Sequence, residues 1–103
     1  ETGGETLNLV GLELKLLHAP GHSPGCVILV AEGVALTGDV LFKGSIGRTD
    51  LPHSDHAAMQ RSLRGPVWGL DDSLAILPGH GPTTTMRRER ATNPFLRAAG
   101  DVL

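Results

Sequence analysis

Tyrosine is absent from this 103-residue chain, and tryptophan and cysteine occur once each. Phe42, Phe95 and Trp68 complete the aromatic set. With so few rings, a core has to be assembled from Leu, Val, Ile and Ala. The lone Cys26 excludes an internal disulfide and a zinc site built on several thiolates. It fits a reducing, cytoplasmic compartment, and inside an apolar run it is expected to serve as a small apolar side chain. No apolar run approaches the roughly 20 residues that span a bilayer, and no leader-like segment opens the sequence. The chain starts at Glu1 and not at methionine, so its N-terminus is expected to lie further upstream.

An excess of one charge is also missing. Nine Lys and Arg against eleven Asp and Glu leave a net charge of -2, with no electrostatic footprint for nucleic acid or an anionic membrane. The densest basic patch, Met86-Arg87-Arg88-Glu89-Arg90, is interrupted by Glu89 and is expected to be a solvated helix face. A hydrophobic content of 40% suits a single globular unit over residues 1–103. A chain of this size buries about 60 to 70% of its unfolded surface.

What the chain does have is punctuated apolar runs. Glu1 to Thr6 is polar, glycine-rich and expected to be loose. Leu7 to Val10, a break at Gly11 and the alternating Leu12 to Leu16 predict a hairpin. Cys26 to Ala31 is continuously apolar and predicts a strand buried on both faces. Glu32-Gly33 turns the chain into the partner strand Val34 to Thr37. Phe42 to Asp50 is too rich in glycine for a regular element and is expected to be a loop. Pro52 and Ser54-Asp55 signal a helix start. Ala57 to Leu63 then runs helical, with Met59 and Leu63 on one face, and Gly65-Pro66 is expected to end it. Ser73 to Leu77 is a strand stopped by Pro78. Thr83-Thr84-Thr85 can cap a helix through Arg90, and Asn93-Pro94 opens a last turn or helix over Phe95 to Ala99. The coarse order is β-β-β-β-α-β-α-α.

Three loops at strand ends carry the residues able to do chemistry. His22 lies in the middle of His18-Ala19-Pro20-Gly21-His22-Ser23-Pro24-Gly25. Asp39 follows Thr37-Gly38, and His80 lies in Leu77-Pro78-Gly79-His80-Gly81-Pro82. His22 enters one side of a hairpin and Asp39 leaves the other, so antiparallel pairing brings them to one end. Imidazole and carboxylate donors suit zinc, iron or manganese. The plainer alternative is that His22 and His80 only shape turns while Asp39 binds backbone amides.

Those blocks, with Gly44-Ser45-Ile46-Gly47-Arg48-Thr49-Asp50-Leu51-Pro52 and the ending Glu89 through Asn93-Pro94-Phe95-Leu96, resemble the metallo-β-lactamase superfamily and within it the glyoxalase II-like branch. The resemblance implies an α/β (α+β) fold, the C-terminal half of an αββα sandwich, with a mostly antiparallel or mixed sheet and helices on one face. It implies that His22 is the third histidine of a first metal site, that Asp39 is the catalytic carboxylate bridging two metals, and that His80 is a ligand of the second. Two divalent ions, zinc or else iron or manganese, are the implied cofactors. The implied reaction is attack of a metal-bound hydroxide on a small thioester or ester substrate. Arg48 and Asp50 are candidates for a loop touching substrate, the alternative being an ion pair that pins the loop.

The family's His-x-His-x-Asp-His motif is missing. His53-Ser54-Asp55-His56 imitates its tail, but Leu51 stands where the first histidine belongs, and the segment is expected to start a helix. His18 is expected to be a turn residue facing away from His22. The chain alone is therefore expected to be inactive, with the N-terminal half of the domain as its partner. Without that half, its apolar sheet face and open edge are expected to drive self-association. A mononuclear-iron persulfide dioxygenase of the same fold and a non-catalytic half-domain are the alternatives.

Overall fold

The computed structural model describes residues 5–9 and 12–100. Six strands form one sheet: β1 (Glu5–Leu9), β2 (Leu12–His18), β3 (Val27–Ala31), β4 (Val34–Gly38), β7 (Ala75–Pro78) and β8 (Thr84–Thr85), in the spatial order β1-β2-β3-β4-β7-β8. Every neighbouring pair is antiparallel except β4 with β7, which run parallel. A small hairpin of β5 (Leu41–Phe42) and β6 (Ser45–Ile46) follows β4. The helices are α1 (His56–Ser62), α2 (Met86–Thr92) and α3 (Pro94–Gly100). None of the described helices is long and apolar enough to cross a membrane.

Most elements follow from local chemistry. Gly33, in the left-handed region at φ 77°, closes the β3–β4 turn after Glu32. Asp55 caps α1 by accepting from the Ala58 N–H at 3.1 Å. Thr85 caps α2 by accepting from the Arg88 N–H at 3.2 Å. Met59 and Leu63, one helical turn apart, are both fully buried.

The first strand begins at Glu5, inside the stretch expected to be loose, because β2 supplies it with a ladder: Glu5 opposes Leu16 and Thr6 opposes Lys15. The Val10-Gly11 break lies outside the described residues. The glycine-rich stretch after Asp39 is not a plain loop either. It folds into β5–β6 around Gly44 (φ 75°), held by buried side chains far along the chain. Gly65-Pro66 does not end the first helical segment. The chain widens into a π-helical turn over Leu63–Val67, closed by the Trp68 N–H to the Leu63 carbonyl at 3.0 Å. A wider turn relieves the clash that a proline ring makes with the preceding turn, and Pro66 is buried in it.

The sheet has two unlike faces, set by the alternation of side chains along each strand. Leu17, Ile28, Ala35 and Ile76 point to the helical side and are buried against Met59, Leu63, Val67, Leu96 and Ala99. On the opposite face Leu16, Leu29, Leu36 and Leu77 stand in register across four strands. Leu36 is 43% exposed and its three neighbours are only half buried. The β3 strand is thus buried on one face, not both, since only Ile28 within it is fully enclosed.

The basic stretch of α2 is likewise not a solvated face throughout. Met86 and Glu89 are fully buried. The Arg90 guanidinium lies 5.4 Å from the Trp68 ring centroid, donates to the carbonyls of Trp68 and Leu70 and pairs with Asp72. Only Arg87 and Arg88 face solvent fully.

Replacing Asp55 with alanine removes the α1 cap and is expected to lower stability by about 1 kcal/mol, with Asp55→Asn recovering most of it, as read from chemical unfolding midpoints.

Candidate metal centre

The His22 loop is built by hydrogen bonds that its sequence does not announce. The Ala19 N–H donates to the Cys26 carbonyl at 2.9 Å and closes its neck. Its three consecutive carbonyls are then each taken by the α1 segment. Ser62 Oγ donates to Pro20 at 2.7 Å, the Asp55 N–H to Gly21 at 2.7 Å, and Ser54 Oγ to His22 at 2.8 Å. Gly21 allows this close approach: a β-carbon there would meet the Met59 Cα at 2.5 Å. The helix start read from Ser54-Asp55 is therefore also the clamp on the loop.

Asp39 sits in the turn that ends β4, closed by the Val40 N–H to the Thr37 carbonyl at 2.9 Å. Thr37 Oγ1, fully buried, donates to the Leu41 carbonyl at 2.8 Å and stiffens the exit. The Gly79 N–H donates to the Gly38 carbonyl at 2.8 Å, so the loop after β7 is tied to the loop after β4. That bond delivers His80 to Asp39.

The three candidates do converge. Asp39 Oδ2 lies 3.8 Å from His22 Nε2, and Asp39 Oδ1 lies 3.3 Å from His80 Nδ1. One carboxylate oxygen faces each imidazole. Asp39 and His22 are partly exposed and His80 is exposed. The opposite ring nitrogen of His22, Nδ1, lies 3.0 Å from the Arg48 carbonyl oxygen. A carbonyl only accepts, so Nδ1 carries a proton, and in the neutral ring Nε2 then presents its lone pair toward Asp39. This is the arrangement a metal-binding histidine needs: one nitrogen oriented by a backbone acceptor, the other free to donate its pair.

The donor chemistry therefore fits a divalent cation, but the number of donors does not complete a site. Among the described residues no group of three or more His, Cys, Asp and Glu side chains is gathered closely enough to hold a metal ion. Asp39 stands between its two histidines, which fits a carboxylate shared between two positions better than three donors around one.

Gly47 is a positioning residue that spacing alone does not reveal. A β-carbon there would fall on the Asp39 carbonyl oxygen and come within 3.1 Å of the His22 β-carbon. The signal for it is the glycine itself, directly after the β5–β6 hairpin. His53 stands edge-on to His22, ring centroids 6.0 Å apart and planes at 89°, while Thr49 Oγ1 lies 3.2 Å from His56 Nδ1. The His53 to His56 segment is the start of α1, as its sequence suggests. His18 ends β2 and is exposed. Cys26 is partly buried against the core, its sulfur 3.2 Å from Ser23 Oγ.

With the geometry in view, the comparisons with known proteins are decisive. The metallo-β-lactamase superfamily profile matches residues 1–85. The chain belongs to this superfamily. It is 44% identical over 97 residues to the hydroxyacylglutathione hydrolase GloC of Haemophilus influenzae, covering 92% of this chain and 46% of that protein. The crystal structure of the BLEG-1 B3 metallo-β-lactamase superposes with a TM-score of 0.84 at 41% identity, covering 88% of this chain and 44% of that one. The di-iron-bound form of TTHA1623 gives a TM-score of 0.78 at 42% identity, covering 92% and 46%. The α/β fold with its mostly antiparallel sheet is thus that of the superfamily. The chain spans somewhat less than half the length of these relatives.

Arg48 and Asp50, candidates for a substrate loop, form a bidentate ion pair: Nε to Oδ1 at 2.7 Å and Nη2 to Oδ2 at 3.0 Å. The hydrogen bond from Arg48 holds the Asp50 carboxyl below the usual carboxylate range, and its partner raises Arg48 in turn. A depressed carboxyl favours the folded loop above the unfolded pKa and loses that contribution as pH falls through the folded one. Both side chains are exposed, so salt screens the pair. Arg48→Ala is expected to return the Asp50 titration, followed by carboxyl NMR, upward to the ordinary range. An unchanged midpoint would show that the ion pair does not form in solution.

Proposed function

We propose that this chain is the part of a metal-dependent hydrolase that supplies Asp39 as a carboxylate shared by two metal positions, with His22 and His80 as one ligand to each. The observation that carries the reading is the placement of Asp39, one oxygen toward each imidazole. A bound divalent cation would supply a nucleophile at neutral pH, by lowering the pKa of water to about 7, and Lewis-acid polarisation of a carbonyl. The chain's own contribution is orientation. Arg48 fixes the His22 tautomer, Gly47 lets His22 and Asp39 approach, and the Gly38–Gly79 bond sets His80. The remaining ligands come from the N-terminal half of the domain, which covers the Leu16, Leu29, Leu36 and Leu77 face.

The substrate class we propose is a small thioester or ester. The GloC resemblance supports this, and the di-iron form of TTHA1623 supports iron beside zinc as the metal. The place of action is the cytoplasm, in keeping with a single thiol. The test is thiol release from an acylated low-molecular-weight thiol by the full-length, metal-loaded protein. Asp39→Ala is expected to lower turnover more than about 100-fold. Intact thioesters together with thiol-dependent oxygen uptake by the iron form would replace this reading with a dioxygenase.

The uncovered leucine row makes a second expectation. Alone, this chain is expected to self-associate in sedimentation measurements, and Leu36→Lys, at the most exposed position of the row, is expected to shift it toward monomer. A monomeric wild-type chain with a cooperative two-state melt would contradict the half-sandwich reading.

A further inference from the structure

Among the described residues, a buried polar arrangement lies away from the candidate metal centre. Glu89 and Asn93 are both fully buried, one turn apart at the end of α2. Glu89 Oε1 accepts from the Gly44 N–H at 2.8 Å and from Asn93 Nδ2 at 2.9 Å, and Oε2 accepts from Thr84 Oγ1 at 2.8 Å. Asn93 Nδ2 also donates to the Ser45 carbonyl at 3.0 Å, while its Oδ1 caps α3 by accepting from the N–H groups of Phe95 and Leu96. Burying a carboxylate is costly unless hydrogen bonds compensate it, and three donors do so here. An apolar pair would fill the same space at less cost. The polar pair does what an apolar one cannot: it grips the backbone of the β5–β6 hairpin at Gly44 and Ser45.

That hairpin leads directly to the site. Ile46 packs against the core, the Gly47 N–H bonds the Val40 carbonyl at 3.1 Å, and Gly47 lies against both Asp39 and His22. The next residue is Arg48, whose carbonyl accepts from His22 Nδ1. We infer that Glu89 and Asn93 are positioning residues for the metal centre, holding the β5–β6 hairpin so that the Arg48 carbonyl fixes the ring and tautomer of His22. The inference rests on reading His22 as a metal ligand. Partners that orient a ligating histidine typically change metal affinity 10- to 100-fold, although they never touch the metal.

The test reads His22 directly in the metal-free, full-length protein, using long-range proton–nitrogen NMR of the imidazole rings. In the wild type, His22 is expected as the Nδ1–H tautomer. Glu89→Gln, which puts an amide donor among donors, and Asn93→Ser, which keeps an α3 cap but drops the grip on Ser45, are each expected to move the tautomer ratio about 3- to 10-fold toward Nε2–H, the effect of one hydrogen bond. Zinc affinity by chelator competition is expected to fall about tenfold in the same variants. Val67→Ala, a fully buried core truncation in the π-helical turn that makes none of the hairpin's polar contacts, supplies a matched loss of stability and is expected to leave both readouts unmoved. An unchanged tautomer in the folded Asn93→Ser protein, or an equal change in Val67→Ala, would overturn the inference. A tautomer shift in a protein that neither binds zinc nor cleaves thioesters would leave the positioning role standing and remove the hydrolase reading instead.

Discussion

The parallel pairing of β4 with β7 is the constraint on which the site depends. Parallel neighbours end at the same edge of a sheet, so the residues that follow them, Asp39 and His80, leave the sheet side by side. The register break between Leu36 and Gly38 and the Gly79 N–H to Gly38 carbonyl bond hold the two exits together. Antiparallel β2, β3 and β4 then return His22 to that edge from the other side. Three residues far apart in sequence meet because three strand ends do. Each loop is stiffened by backbone bonds, so the meeting needs no contact between the site side chains themselves.

A second constraint is the asymmetry of the sheet. Its helical face is filled by apolar side chains from the central strands, the β5–β6 hairpin and the helices, with Leu17, Ile28, Ala35 and Ile76 as the floor. The other face presents a row of leucines in register and only half buried. A sheet that is apolar on both faces is made to be covered on both. The incomplete ligand set and the uncovered face thus point the same way, toward a domain of which this chain supplies one layer pair.

Much of this was legible in the sequence, for identifiable reasons. The hairpin at Glu32-Gly33, the α1 start at Asp55 and the meeting of His22 with Asp39 follow from local turn and cap chemistry and from hairpin geometry. What stayed hidden depends on long-range bonds. The β5–β6 hairpin forms because Glu89 and Asn93 reach it from more than forty residues away. The basic look of α2 concealed that buried Glu89, since spacing shows charge but not which side of a helix is enclosed. The continuous apolar run of β3 suggested burial on both faces, which one layer pair does not supply. Gly47 and the serines at 54 and 62 act through close approach and backbone carbonyls, for which a sequence carries little signal.

The most direct measurement is metal content per chain after exhaustive dialysis of the full-length protein, by elemental analysis, in the wild type and in Asp39→Ala. Retention of about two divalent ions by the wild type, with clear loss on removal of the one carboxylate that faces both histidines, is the predicted result. Equal metal in the two proteins would contradict the account, because Asp39 would then be a turn residue beside the histidines and not the group that joins two metal positions.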